Sequence, residues 1–326
     1  MRIPVRVTVT AAVGGVVVGT VIAWATGSPA APVPASAVGN PQHAAVRPHS
    51  ARPSPSATPS LPSPVQIVGT PRNVKALGGE LAVASTGSLL WSRDQETERP
   101  IGSITKVMTA LVVMQAGDLN REIRVPQSVL AYVAKYGANS AGLHPGDVLT
   151  TQQLLEAMLL PSGCDAAYTL ALAYGPGMPA FLAKMNALAK QLGMLHTQFT
   201  SPDGLPYPTE FSTFSTPADL VTMGLAAMKL PAFRAMVDQQ FYQIKKGPGH
   251  HAYWWNNTNQ LIGSYPGAQG IKDGFTNAAL HCLLFEASRG GLTLIGDVLG
   301  SPATGPASGA DAAAQVLNWG FGLPHT

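Results

Sequence analysis

Three short segments carry side chains whose types and spacing could do chemistry. Ser103 and Lys106 stand three apart in Gly102-Ser103-Ile104-Thr105-Lys106, at the head of an apolar helical pattern, and residues three apart on a helix share a face. A serine hydroxyl is a poor nucleophile at neutral pH until a base takes its proton, and a lysine partly withdrawn from water can serve. A helix N-terminus would also favour negative charge on that oxygen. The pair alone is not diagnostic, because Ser103 could equally be a helix N-cap. A second hydroxyl, Ser162, lies in Pro161-Ser162-Gly163-Cys164-Asp165, where one helical pattern ends and another begins. Lys272-Asp273-Gly274-Phe275 falls in a late strand pattern, where Gly274 would let a ligand approach the backbone closely.

Other chemistries fit less well. A Ser-His-Asp hydrolase needs a placed histidine, but His250-His251 lies in a Gly/Pro/aromatic stretch, and His196 and His281 lack a partner word. No histidine is tied by sequence to Cys164 as a nucleophile. Cys164 and Cys282 are the two cysteines of the chain; they cannot build a disulfide framework, and nothing near them has zinc-ligand spacing. Their mutual pairing is open in an oxidising exterior and would occlude the site. Neither a metal nor another cofactor is expected.

The elements that must position these groups begin after Val68. Leu81–Ser85 and Ser88–Trp91, around Thr86-Gly87, read as a β-hairpin. Helical patterns follow at Ser103–Ala116, Thr151–Leu160, Asp165–Tyr174 and Pro179–Leu192, and Thr216-Pro217 opens a further helix. Strand patterns then dominate at Phe241–Lys245, Ala268–Gly274, Leu280–Ala287 and Leu292–Leu299, before a closing helix at Ala312–Trp319. Strands first, helices in the middle and strands last predict an α+β domain, with one antiparallel sheet completed by both chain ends and helices packed on it.

The whole chain has 326 residues, of which 46% are hydrophobic and 11% charged, with net charge +3. A charged share of about 25% is usual, so a highly charged disordered protein is excluded. The 20 Lys+Arg are scattered, without the basic stripe that nucleic-acid binding requires. Arg2 and Arg6 precede 19 uncharged residues, Val7–Ala25, long enough at about 1.5 Å each to cross most of a bilayer. Residues 1–26 are therefore expected to be a signal peptide or an N-terminal membrane anchor, with the rest of the chain outside. Between Gly27 and Gln66 there are ten prolines and almost no large apolar residue, so 27–70 is expected to be a disordered Pro/Ala/Ser-rich linker. Residues 71–326 would form the catalytic domain.

In order, Ser-x-x-Lys, Ser-Gly-x and Lys-x-Gly resemble the layout of active-site-serine penicillin-recognising enzymes. The flanking words narrow the resemblance. Ser103-Ile-Thr-Lys-Val-Met-Thr-Ala110, Gly146-Asp147-Val-Leu-Thr150, Ser162-Gly-Cys-Asp-Ala-Ala167, Pro202-Asp203-Gly204-Leu205, Thr258-Asn259-Gln260-Leu261 and Val298-Leu299-Gly300 are similar to the D-alanyl-D-alanine carboxypeptidase family of low-molecular-mass penicillin-binding proteins. This similarity extends from about Leu81 to Phe321. It implies a β-lactamase/DD-peptidase-like fold and an exported enzyme whose partners are β-lactams and peptidoglycan stem peptides ending in D-Ala-D-Ala. By the same resemblance Ser103 would be the nucleophile, Lys106 its base and Ser162 a proton relay to the leaving amine. Lys272 would stabilise negative charge, and the N–H groups of Ser103 and Phe275 would form the oxyanion hole.

Two positions depart from the family pattern. Cys164 stands where Asn usually holds the substrate backbone, as some family members also have it. Asp273 replaces a Thr that donates to the substrate carboxylate, and no Lys or Arg follows Arg289 to take over that contact. An Asp there could be protonated, pair with Lys272 or mark a changed substrate, leaving a weak or inactive peptidoglycan-binding homologue as the alternative reading. A class A β-lactamase would need a deacylating glutamate in a Glu-x-x-x-Asn-like loop, which this sequence lacks.

Overall fold

Near-continuous apolar runs in both end segments make strands buried on both faces, and these strands meet in one sheet. The computed structural model describes residues 69–302 and 309–322; the expected anchor and nearly all of the expected linker lie outside the described residues. Strands β1 (Gly78–Val83), β2 (Leu89–Arg93) and β3 (Arg99–Pro100) lead into α1 (Thr105–Gln115). Then come β4 (Glu122–Arg124), α2 (Ser128–Tyr136), β5 (Val148–Thr150), α3 (Thr151–Leu159), α4 (Cys164–Tyr174) and α5 (Met178–Gln191). After β6 (Phe214–Ser215), α6 (Pro217–Met228) and α7 (Pro231–Val237) the chain returns to strands: β7 (Phe241–Ile244), β8 (Tyr253–Asn256), β9 (Ala268–Thr276), β10 (Leu280–Arg289) and β11 (Leu292–Ser301). Helix α8 (Gly309–Gly320) is the last described element.

The main sheet has the order β2-β1-β11-β10-β9, every pair antiparallel, as the α+β reading expects. Neighbouring residues of a strand point to opposite faces. Leu284 and Ile295 thus enter the core under the central helices, whereas Leu283, Phe285, Leu294 and Val298 pack with Val316, Leu317 and Trp319 of α8. Strand β9 is left at the sheet edge. Its free side is where the Lys272 segment meets the start of α1.

Local signals explain several helix starts. Thr150 accepts from Gln153 N while the Gln153 side chain returns to the Thr150 N–H, a capping box. Thr216 caps α6, with Pro217 at its first position. The helix expected from Ser103 differs: Gly102–Ile104 forms a 3-10 turn, α1 begins at Thr105, and neither start has a side-chain cap. Ser103 is therefore not an N-cap, which frees its hydroxyl. The strands β3 to β6, each of two or three residues, escaped the sequence patterns, and so did three longer elements. Helix α2 buries only Val129 fully, α7 is one short piece of seven residues, and β8 was hidden behind the Gly/Pro/His turn joining it to β7.

The sheet also contains buried acids. Asp297 on β11 lies opposite Glu80 on β1, and neither Asp297 carboxyl oxygen has a hydrogen-bond partner among the described residues. Burial, then the charge of Glu96, pushes Glu80 up to about 7; burial and then Glu80 push Asp297 well above its ordinary value. A carboxyl whose folded pKa is raised contributes stability fully below its unfolded pKa and loses it as pH rises through the folded value. Stability should fall between about pH 5 and pH 8, on the order of 3 kcal/mol from Glu80 alone. Glu156, also pushed up to about 7 by burial, acts in the same sense. Thermal melts across this range should show the decline, and Glu80→Gln should flatten it; an unchanged slope would remove Glu80 as a source.

Candidate active site

Two glycines bring the 3-10 turn and the edge strand into backbone contact. Gly102 has φ +50°, and a Cβ there would meet Phe275 N at 2.9 Å. A Cβ on Gly274 would lie 2.5 Å from Ile101 O and 3.1 Å from Ser103 N. Any larger residue at either place would push β9 away from the turn. The backbones of Ser103 and Phe275 are thereby set side by side, as an oxyanion hole needs.

Lys106 is fully buried on the first turn of α1. Its Nζ lies 2.8 Å from Ser103 Oγ, 2.9 Å from Asp203 O and 3.5 Å from Cys164 Sγ. The Asp203 carbonyl and the Cys164 thiol hold Nζ against the Ser103 hydroxyl, within reach for a proton to pass between the two. The carbonyl that fixes this geometry is itself held. Tyr132 donates to Asp203 Oδ2 at 2.7 Å, Leu205 N donates to Oδ1 at 3.1 Å, and Thr109, one helical turn beyond Lys106, donates to Pro202 O at 2.6 Å.

Ser162 sits between α3 and α4 with φ +64°. Its hydroxyl makes no hydrogen bond to another described residue, so the expected relay to Lys106 is not pre-formed. The turn is braced from the segment after α2: Asn139 O accepts from Cys164 N at 2.9 Å, and the Asn139 side chain donates to Pro161 O at 2.6 Å. Asp165 organises the same segment, accepting from Ser140 Oγ at 2.6 Å, Ala141 N at 2.9 Å and Leu143 N at 3.0 Å. Cys164 is a neutral thiol, pushed up to about 12 by burial, which speaks against it as a nucleophile. It does not pair with Cys282; both are free.

Lys272 is buried on β9, and its ammonium contacts the Asp273 carboxylate directly. Thr258 Oγ1 lies 2.7 Å from Asp273 Oδ1 and 3.4 Å from Lys272 Nζ. Burial pushes the Lys272 pKa down, with Asp273 opposing and the charge of Lys106 adding to the fall. For Asp273, burial would raise the pKa, but the Lys272 charge and the hydrogen bonds from Lys272 and Thr258 outweigh it and hold it below the usual carboxylate value. The ion pair with Lys272, one of the options open for Asp273, is formed. Phe275 follows, half exposed, its ring tilted against His281 at 4.8 Å.

The site thus brings together Ser103, Lys106, Cys164 and the Lys272–Phe275 strand, with Ser162 on the adjoining turn. Reasoning from residue types missed Asp203, Tyr132, Asn139 and Thr258. Asp203 and Thr258 stood inside words of the family resemblance, but a backbone carbonyl that aims a lysine has no side-chain signature. Among the described residues no histidine is hydrogen-bonded to Ser103: His251 Nδ1 pairs with Asp147 at 3.0 Å, His196 lies 3.6 Å from Glu98, and His281 packs on the Phe275 ring.

An edge strand and a serine bonded to a buried lysine, on an antiparallel sheet sandwiched by helices, define a serine enzyme of the penicillin-recognising fold. The family model described as D-alanyl-D-alanine carboxypeptidase matches residues 70–303. The D-alanyl-D-alanine carboxypeptidase of Streptomyces sp. strain K15 is 39% identical over 273 residues, 80% of this chain and 92% of that protein. The crystal structure of the Streptomyces K15 DD-transpeptidase superposes with TM-score 0.73 at 38% identity, covering 78% of this chain and all of the other. The D-alanyl-D-alanine carboxypeptidase structure from Mycobacterium tuberculosis H37Rv gives TM-score 0.72 at 35% identity, covering 80% of this chain and 96% of that one. This chain belongs to the D-alanyl-D-alanine carboxypeptidase family of serine-type hydrolases.

Proposed function

We propose that this protein is an exported enzyme that cleaves the terminal D-Ala-D-Ala bond of peptidoglycan stem peptides through an acyl-enzyme on Ser103. The observation that carries the reading is the 2.8 Å contact between Ser103 Oγ and the fully buried Lys106 Nζ. Ser103 Oγ attacks the carbonyl between the two D-alanines as Lys106 takes its proton, and the Ser103 and Phe275 N–H groups hold the oxyanion. The C–N bond then breaks, and the leaving D-alanine amine receives a proton through Ser162. Water, or an acceptor amine in the transpeptidase variant of the reaction, releases the acyl group and restores the serine. The apolar Val7–Ala25 run supports export and a hold on the membrane, and β-lactams would acylate the same serine. Incubation with a fluorescent penicillin followed by mass mapping tests this: label is expected on Ser103, and label on Ser162 or Cys164, or none at all, would overturn it.

A second reading, a catalytically weak homologue, is favoured by the Lys272–Asp273 pair. Asp273 occupies the cation that a substrate carboxylate would use and adds a like charge, worth roughly 1–4 kcal/mol against binding at a few ångströms. Asp273→Thr frees Lys272 and supplies a hydroxyl donor. D-alanine release from a free D-Ala-D-Ala peptide should rise about tenfold or more in that variant, about 1.4 kcal/mol. Because Asp273 is held below its ordinary range, protonation relieves the wild type only under acid conditions below that range, and its rate should not climb between about pH 7 and pH 5. Equal rates for the two proteins would remove Asp273 as the limiting group.

A further inference from the structure

The β7–β8 hairpin is a separate two-stranded sheet, and its two faces differ in kind. One face, with Ile244, Tyr253 and Trp255, is buried; Trp255 Nε1 donates to Ala141 O at 2.8 Å, and Tyr253 donates to Asp147. That face packs on the segment that braces Ser162 and Cys164. The other face presents Phe241, Gln243, Trp254 and Asn256, all exposed, with Phe241 opposite Asn256 and Gln243 opposite Trp254 in the register. Phe241 and Trp254 are 47% and 55% exposed and stack with centroids 4.5 Å apart and planes 9° apart.

A cross-strand aromatic pair helps a hairpin to form, but that role explains neither the half-exposed indole nor the amides beside it. The indole is fixed: Trp254 Nε1 donates to Asn256 Oδ1 at 2.9 Å. This leaves the Asn256 NH2 group and the whole Gln243 amide to meet a ligand. None of the four residues is charged. A flat aromatic surface flanked by amides suits the apolar ring face and the hydroxyl and acetamido groups of an amino sugar; Lys245 and Lys246, exposed just beyond β7, make an anionic lipid surface the rival occupant that the test must separate. The hairpin also leads toward the site along the chain: β8 ends at Asn256, and Thr258, two residues on, contacts Asp273 and lies beside Lys272.

We propose that the Phe241–Trp254 face of this hairpin binds the N-acetylated amino-sugar strand of the polymer whose stem peptide enters the Ser103 site. The inference rests on the function proposed above and names the part of that substrate lying beyond the peptide. Holding the strand next to the site raises the effective concentration of the attached peptide without any new contact at the reacting carbonyl.

The direct test is co-sedimentation of the full-length protein with insoluble glycan strands stripped of their peptides. Wild type is expected to bind, Trp254→Ala to lose at least about fivefold in bound fraction, and Trp254→Phe to recover most of it. Thermal melts of the variants separate loss of the platform from loss of the fold. A second measurement compares kcat/KM on a disaccharide-linked D-Ala-D-Ala peptide with that on the free peptide, and Trp254→Ala should bring the wild-type preference for the linked form close to one. Absence of wild-type binding to stripped glycan, or equal binding by wild type and Trp254→Ala, overturns the proposal. So does a Trp254→Ala defect confined to phosphatidylglycerol vesicles, which would assign the face to lipid. Failure of the carboxypeptidase reading is seen separately, as no D-alanine release from the free peptide while glycan binding persists.

Discussion

Ser103→Ala should abolish acylation by a β-lactam, with labelling down at least about a thousandfold and no adduct at any other residue. The hydroxyl is the one group in the site that combines a bonded base, a position beside the N–H groups of the turn and β9, and freedom from a capping role. Removing it should leave the fold intact. Ser103 is only half-buried, its hydroxyl bonds to Lys106, and Lys106 keeps Asp203 O and Cys164 Sγ as partners, so the melting temperature should move by no more than a few degrees. Intact-mass measurement after incubation with penicillin, beside a thermal melt, separates the two effects. An adduct that persists in the folded Ser103→Ala protein would show that Ser162 or Cys164 carries the nucleophile and that the roles assigned here are wrong.

Lys106→Ala should slow acylation by about 10²–10⁴-fold, the range expected when a positioned general base is lost. Lys106→Arg should not rescue it. A guanidinium cannot surrender a proton at neutral pH, and its planar fork does not fit a space where a single Nζ is met by a hydroxyl, a carbonyl and a thiol. Because Lys106 is fully buried, truncation also leaves a void, and a folding defect has to be told apart from loss of the base. Lys106→Met fills most of that volume without a basic atom and should be as slow as Lys106→Ala. A pH profile adds a signature that packing cannot imitate: with the internal base gone, the residual acylation rate should rise with hydroxide concentration. Fast acylation in a folded Lys106→Met protein would exclude Lys106 as the base.

Much of this site was legible before any fold was known, and the reason is local. Ser103 and Lys106 lie within one helical turn, so their meeting depends on backbone geometry that three intervening residues already set. The long strands β9, β10 and β11 and the capped start of α6 were equally readable, because apolar runs between turn residues and capping are properties of neighbours in the chain. The family resemblance also marked Asp273 as standing where a threonine hydroxyl is usual. What the sequence left open were the particular contacts that tertiary packing makes around those groups. The choice of Lys272 as the partner of Asp273 follows from burial on the edge strand together with Thr258, fifteen residues away. Asp203 reaches Lys106 across nearly a hundred residues and does so through its carbonyl, a group every residue has. The exposed face of β7 and β8 exists only once Tyr253 and Trp255 find the segment after α2, since the burial of one face of a hairpin decides which residues the other face offers to solvent.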